Sequence, residues 1–121
     1  WTAAPDHGWP TDPWLPWPPE PGARSVEAER ADPDSVLQLA RAALALRRDS
    51  PALNRGGLEL RDDAPDGVLA YERHSGDERR LVWVNFAGAP AALPEGWVVE
   101  LATADTGDGL PPDAAAVLGP R

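Results

Sequence analysis

The stretch Glu78–Gly88, ERRLVWVNFAG, decides the fold of this sequence. Its centre, Leu81–Phe86, is apolar on both sides of an extended chain, which is typical of the central strand of a sheet. The preceding stretch Val68–His74, VLAYERH, alternates between two unlike sets of side chains, as a strand with two different faces does. The short SGDE segment that joins them has the composition of a turn. We therefore predict an antiparallel hairpin here.

Three further strands are indicated by the same period of two and by the frequent turns around them. They are GLEL from Gly57, WVVELATAD from Trp97 and AAAVLGP from Ala114. No connection is long enough for a helical crossover, so antiparallel pairing is predicted throughout. The predicted fold class is mainly β: a small antiparallel sheet or sandwich, preceded by an irregular Trp/Pro-rich arm and one amphipathic α-helix.

The segment before the strands, DPDSVLQLARAALALRRDSPAL, has the clearest helical pattern. Apolar residues recur at spacings of three and four from Val36 to Leu46. Asp32 is predicted to cap the helix, Pro33 to occupy its first position, and Pro51 to end it. The pattern predicts a helix over residues 33–49, with an apolar face wide enough to contact two partners.

The N-terminal segment carries four tryptophans and seven prolines within residues 1–21. Prolines remove backbone donors and push the preceding residues towards extended conformations, so we predict irregular backbone. Rings of this size normally end up buried, and two interpretations stay open: packing on a partner surface, or stacking on a ligand such as a sugar. The predicted organisation is an irregular arm over 1–31, a helix over 32–54 and an antiparallel β domain over 55–121.

Composition excludes several classes of protein. The 121 residues fit one domain, and the net charge is -9, with 20 acidic residues against 11 cationic ones, all arginine. An acidic chain without a basic stripe argues against binding nucleic acid or anionic membranes. No apolar run is long enough to span a bilayer. Cysteine is absent, which excludes a disulfide framework and a cysteine nucleophile but leaves the redox compartment open. A cytoplasmic location, with which the absence is compatible, is expected.

Catalytic and metal-binding patterns are missing from the residues themselves. The acidic residues lie in turns and on predicted solvent faces, so none is predicted to be catalytic. Asp105–Gly109, DTGDG, is similar to the start of a calcium loop, but the acidic twelfth position falls on Ala116. Neither His7 nor His74 has a partner at ligand spacing. We predict no catalytic residue, no metal site and no cofactor.

The order of the motifs resembles the C-terminal end of α-glucosidases and related enzymes of glycoside hydrolase family 13. The resemblance is carried by HGWPTDPWLP, by the helix DPDSVLQLARAALALRRDSPAL, by VLAYERHSGDERRLVWVNFAG and by LPPDAAAVL. It implies that Pro13–Pro16 ends a loop of a (β/α)8 barrel, that the helix is the last of that barrel, and that Val84–Phe86 belongs to the signature strand of a C-terminal β domain.

The resemblance also implies where the chemistry lies. Family members are retaining enzymes whose catalytic carboxylates precede the segment that begins at Trp1, so none of them is carried over to this chain. The loop after the last barrel strand lies near the mouth of the active site. Trp1, His7 and Trp9 are therefore the candidate substrate-binding residues.

The expected function follows from the resemblance. We expect a C-terminal segment of an α-glucosidase-like hydrolase acting on α-glucosidic oligosaccharides, inactive alone. Its expected partners are the missing barrel and an α-glucan oligosaccharide. Methionine is absent and the chain opens on Trp1, so we expect it to be a piece of a longer protein. The alternative interpretation is a free-standing carbohydrate-binding or interaction β module.

Overall fold

The computed structural model describes residues 1 to 121. It contains three helices and five strands, and the chain divides into two compact units, Trp1–Ala42 and Ala43–Arg121. None of the helices combines the length and the apolar character that a membrane span requires. The elements are α1 (Val26–Ala31), α2 (Val36–Asp49), α3 (Pro51–Arg55), β1 (Gly57–Leu60), β2 (Val68–Ser75), β3 (Glu78–Asn85), β4 (Trp97–Ala102) and β5 (Ala114–Pro120).

The strands form one antiparallel sheet in the order β1-β2-β3-β5-β4. This confirms the predicted fold class and the central position of the β3 sequence. The last strand of the chain lies between β3 and β4, so β4 becomes an edge strand. A shift of register between Val99 and Leu101 in β4 marks a bulge in that edge.

One face of the sheet, the core face, carries the hydrophobic core. Side chains of β2, β3 and β5 meet there in register, with Ala70 opposite Trp83 and Trp83 opposite Ala116. Leu110, from the loop before β5, covers this face and is fully buried. Alternate residues of each strand point to the same side, which is why Leu81 and Trp83 share it.

The opposite face, the outer face, is also apolar but far less covered. It carries Leu58 and Leu60 on β1, Leu69 on β2, and Val82 and Val84 on β3, as the cross-strand pairs show. The first three of these side chains are 57%, 62% and 43% exposed. A cleft of about 300 Å³ lies over part of this face, lined by side chains of α2 and α3 such as Leu46 and Leu53 together with Tyr71 and Val117.

Helix α2 ends at Asp49 as predicted, but it begins later than predicted. The helix begins at Val36, because Ser35 Oγ accepts the backbone N–H of Gln38, whereas the Asp32 carboxylate accepts the N–H of Asp34 in a local turn. The prediction that Asp32 caps the helix and Pro33 opens it is therefore wrong.

Two further helices were not predicted. In α3, Pro51 occupies the first turn of a new helix, and Ser50 Oγ caps it by accepting the N–H of Leu53. In α1, within the predicted irregular arm, Ser25 Oγ caps the helix by accepting the N–H of Ala28. Glutamates in the first turn of α1 further favour a helix there.

Candidate functional site

The aromatic residues of the arm gather around one ring, that of Trp17. Its centroid lies 6.3 Å from those of Trp1 and Trp9 and 4.5 Å from that of His7. All three contacts are edge-to-face, with interplanar angles of 61° to 73°. Such pairs contribute about 0.5 to 1.5 kcal/mol each beyond the area they bury. The structure thus brings the three sequence-predicted site residues together through a fourth aromatic residue.

His7 holds the turn on which this cluster is built. Its side chain is buried, and its backbone lies in the left-handed region at φ 50°. The ring atom Nδ1 lies 2.9 Å from the carbonyl oxygen of Thr2. A carbonyl only accepts, so Nδ1 carries the proton. The backbone N–H of His7 also donates to Ala4 at 2.8 Å. The buried imidazole therefore fixes the loop and packs against the ring of Trp17.

Trp1 and Trp9 remain about half exposed, at 56% and 51%. Trp9 is anchored by its backbone N–H, which donates to the carbonyl of Asp6 at 2.9 Å. The carbonyl of Trp1 accepts the N–H of Glu27 in α1 at 3.2 Å. The backbone of each tryptophan is therefore held by a hydrogen bond, while part of each ring stays exposed to solvent. Trp14, 91% exposed, makes no ring contact within the cluster.

A cleft of about 440 Å³ opens beside Trp9 and Trp17. Prolines form much of its wall, and the polar groups in it are those of Asp6, Thr11 and Asp12. A smaller recess of about 380 Å³ lies between Trp1 and the residues of α1.

Trp17, at the centre of this arrangement, was not predicted from the sequence as a site residue. Its only signal in the sequence is membership of a Trp/Pro-rich segment. The contact with His7 depends on the left-handed turn at His7, and a residue with a side chain rarely adopts that conformation.

The partly buried acidic side chains of the sheet are all paired, either with arginines or with polar groups at the start of α3. Glu72 accepts two hydrogen bonds from the guanidinium of Arg79, which holds the pKa of Glu72 below its usual range, helped by the charge of Arg61. Arg61 likewise lowers the pKa of Asp63 by hydrogen bonding. A general acid needs a raised pKa, so these shifts have the wrong sign for acid catalysis.

A second ion-pair group ties β3 to its neighbours. Glu78 accepts a hydrogen bond from Ser50 Oγ at 2.6 Å, and its other oxygen lies 3.3 Å from the backbone N of Ala52. Arg80 donates to Glu100 on β4 at 2.6 Å. These carboxylates stabilise the start of α3 and the sheet edge. No cluster of three or more histidine, aspartate or glutamate side chains has the arrangement of a metal site.

His74 and the DTGDG loop both lie in the sheet unit, Ala43–Arg121. His74, at the end of β2, is exposed. In the loop, Asp105 Oδ1 accepts the backbone N–H of Gly107 at 3.1 Å, which closes a turn.

Comparison with known proteins identifies the relatives of this chain. No family model matches it. A probable α-glucosidase of Rhizobium meliloti (strain 1021) is 33% identical over 92 residues, which are 75% of this chain and 16% of that protein. The chain thus spans about a sixth of the curated relative it matches.

Solved structures agree with this match. MutB, the trehalulose synthase of Pseudomonas mesoacidophila MX-45, was solved as an inactive double mutant with isomaltulose. It superposes with a TM-score of 0.79 at 26% identity, over 100% of this chain and 24% of MutB. The α-glucosyl transfer enzyme XgtA gives 0.74 at 33% identity, over 100% and 24%. The isomaltulose synthase PalI of Klebsiella sp. LX3 gives 0.69 at 30% identity, over 90% and 22%.

The fold of the chain is thus shared, over its whole length, with carbohydrate-active enzymes several times longer than this chain. Within that class, the chain corresponds to a C-terminal segment of a glycoside hydrolase family 13 enzyme, and its curated match is an α-glucosidase. The resemblance predicted from the sequence motifs is confirmed.

Proposed function

We propose that this chain serves as the C-terminal part of an α-glucosidase-like hydrolase that acts on α-glucosidic oligosaccharides, and that it supplies no catalytic carboxylate. It completes the enzyme by docking on a (β/α)8 barrel. The division into an arm over 1–31, a barrel helix over 32–54 and a β domain over 55–121 is part of this proposal. A cytoplasmic location stays a prediction.

The exposed apolar surface of the sheet carries the proposal. Leu58, Leu60 and Leu69 lie side by side on the outer face, and Phe86, directly after β3, is 67% exposed. Contiguous apolar patches on a protein surface usually mark an interface. Val36 and Leu44 of α2 are 74% and 65% exposed, so this helix also presents apolar surface to solvent. Both features suit a segment that packs against a larger body.

The arm residues fit the same proposal. Trp1 and Trp9 keep open ring surface, and we propose that they contact substrate at the rim of the barrel. His7 is buried beneath Trp17, so we propose that it acts on substrate binding indirectly, by fixing the loop.

The activity of the purified chain tests the absence of catalytic carboxylates. We expect no glucose release from maltose or isomaltose above that of a heat-inactivated control. Measurable turnover that a single Asp or Glu substitution in this chain abolishes would refute the proposal.

The docking surface is tested separately with a hydrophobic dye. The double variant Leu58→Lys and Leu60→Lys removes two exposed leucines, so dye fluorescence should fall relative to the unaltered chain. A matched variant, Glu59→Lys, changes an exposed residue of the same strand without removing apolar surface. It should leave the dye signal unchanged. Equal dye binding in all three proteins would show that the sheet does not present this patch.

A further inference from the structure

We infer that the cleft beside Trp9 binds one neutral sugar ring, with Trp9 as the stacking surface and Asp6 and Asp12 as acceptors for its hydroxyl groups. This inference rests on the proposed function and adds to it a particular subsite and a charge preference. The cleft lies within residues 5–17 of the arm. Its volume of about 440 Å³ falls within the range of small-molecule sites.

Trp9 is prepared for stacking before any ligand arrives. The edge-to-face contact with Trp17, at 6.3 Å and 73°, holds the indole from one side, and the backbone bond to Asp6 fixes the chain beneath it. About half of the side chain remains exposed. The face of an indole carries negative charge density and attracts the weakly positive C–H groups of a pyranose ring. A ring that is already immobilised loses little conformational entropy on binding.

The two carboxylates in the cleft have free acceptor capacity. One oxygen of Asp6, Oδ1, accepts the N–H of Gly8 at 3.0 Å, and the other makes no hydrogen bond within the chain. Asp12 makes neither a hydrogen bond nor an ion pair with any side chain. Carboxylates only accept, and adjacent sugar hydroxyls supply the matching donors. Thr11 adds a hydroxyl that both donates and accepts.

The charge of the cleft selects among sugars. No arginine lines it, so nothing in the cleft compensates the two carboxylates. A ligand that carries its own carboxylate is repelled, whereas a neutral hexose is not. An ammonium ligand would also satisfy the two carboxylates and the indole. The sugar is favoured because a pyranose supplies both a C–H face for Trp9 and adjacent hydroxyl donors for Asp6 and Asp12. MutB, which shares this fold, was solved with the neutral sugars isomaltulose and sucrose but also with Tris, so Tris is included in the test.

Nuclear magnetic resonance of the six tryptophan indole N–H groups tests the inference on the full chain. The ligands are methyl α-D-glucopyranoside, its C6 carboxylate analogue methyl α-D-glucopyranosiduronate, and Tris. We expect saturable shifts of the Trp9 signal, assigned with Trp9→Phe, and a dissociation constant on the order of millimolar for the neutral glucoside. The uronate should bind at least roughly tenfold more weakly, because the two carboxylates repel its charge. Tris is attracted by the same carboxylates but has no pyranose face to stack on Trp9, so it should bind no more tightly than the neutral glucoside.

Two variants locate the site. Asp12→Asn should weaken binding of the neutral glucoside by about fivefold or more while leaving the thermal midpoint unchanged, because the Asp12 carboxylate makes no hydrogen bond or ion pair within the chain. Trp14→Phe, which alters an exposed ring outside the cleft, should bind like the unaltered chain.

Three results would overturn the inference: no saturable shift at Trp9, equal binding of the uronate, or tighter binding of Tris. None of them bears on whether the chain is inactive or whether its sheet docks on a barrel. Failure of this inference is therefore distinguishable from failure of the proposed function.

Discussion

Replacing Asn85 by Asp changes one group of a fully buried side chain, and we expect it to destabilise the sheet unit strongly. The side-chain amide donates to the carbonyls of Ala89 and Leu110, each at 2.9 Å. The side-chain oxygen accepts the N–H of Ala87 at 2.8 Å. Asn85 thus ties the end of β3 to the loop that follows and to the segment before β5. A carboxylate would keep the shape but face two carbonyl oxygens without a donor.

The size of the effect follows from these contacts. A buried carboxylate here would take up a proton, and protonating an Asp of ordinary pKa near 3.9 costs about 4 kcal/mol at pH 7. The protonated acid restores one of the two donors, so one hydrogen bond, worth about 1 kcal/mol, is lost as well. The expected loss is therefore about 5 kcal/mol at pH 7, a large part of the roughly 5 to 15 kcal/mol that stabilises a domain.

The assay is urea unfolding followed by far-ultraviolet circular dichroism at pH 7 and pH 4. The introduced carboxyl has a folded-state pKa raised above its unfolded value, so its cost is largest at neutral pH and shrinks as the pH falls towards 4. The difference from the unaltered chain should drop from about 5 to roughly 1 to 2 kcal/mol.

Asn54→Asp is the matched control, because Asn54 is the other asparagine of the chain and is exposed on α3. It should change stability by less than about 0.5 kcal/mol. Two results would contradict the role of these contacts: unfolding of Asn85→Asp at the same urea concentration as the unaltered chain, or an equal loss of unfolding free energy at both pH values.

Other substitutions probe the remaining contacts. Glu72→Gln should cost about 1 to 2 kcal/mol at pH 7 by urea unfolding, since Arg79 is half exposed. Folding lowers the pKa of Glu72, so the stability that the ion pair adds is fully present above the unfolded-state pKa near 4.3 and is lost as the pH falls through the folded-state pKa. A loss of unfolding free energy in Glu72→Gln that persists at pH 2.5 would contradict the ion pair. Leu81→Ala, at a fully buried core position, should cost about 2 to 5 kcal/mol, and a smaller loss on thermal unfolding would mean that the core collapses around the gap. Ser50→Ala removes both the α3 cap and the partner of Glu78, so about 1 to 2 kcal/mol should be lost, with Ser50→Thr recovering most of it; equal loss in both variants would argue against the cap.

The strands could be predicted from the sequence because each one has its own local pattern of side chains. The alternation in β2 and the continuous apolar run in β3 are local features, and the turns between strands carry Gly, Asp and Pro. The position of β5 between β3 and β4 could not be predicted from the sequence. Pairing of distant strands is decided by which apolar faces meet, here Trp83 with Ala116, and no local pattern encodes that choice.

The start of α2 and the presence of α3 were mispredicted for a different reason. Asp32 and Ser35 are both good caps, and sequence alone does not show which of them will accept the N–H groups of the helix. Pro51 ends one helix and starts another, and both roles suit proline equally.

The arm was only partly predictable. Its tryptophans could be identified as a group that requires a surface, but the central role of Trp17 depends on the backbone turn at His7. Three-dimensional proximity of residues ten positions apart in irregular backbone has no periodic signature in the sequence.

The central proposal is that this chain is the C-terminal part of a family 13 hydrolase whose catalytic carboxylates lie on preceding segments. Reading the genomic sequence immediately upstream of the Trp1 codon tests it most directly. We expect an open reading frame, in phase with Trp1, that encodes barrel strands and the Asp and Glu residues of a retaining α-glucosidase. A stop codon directly upstream, or an in-phase frame without such a barrel, would contradict it.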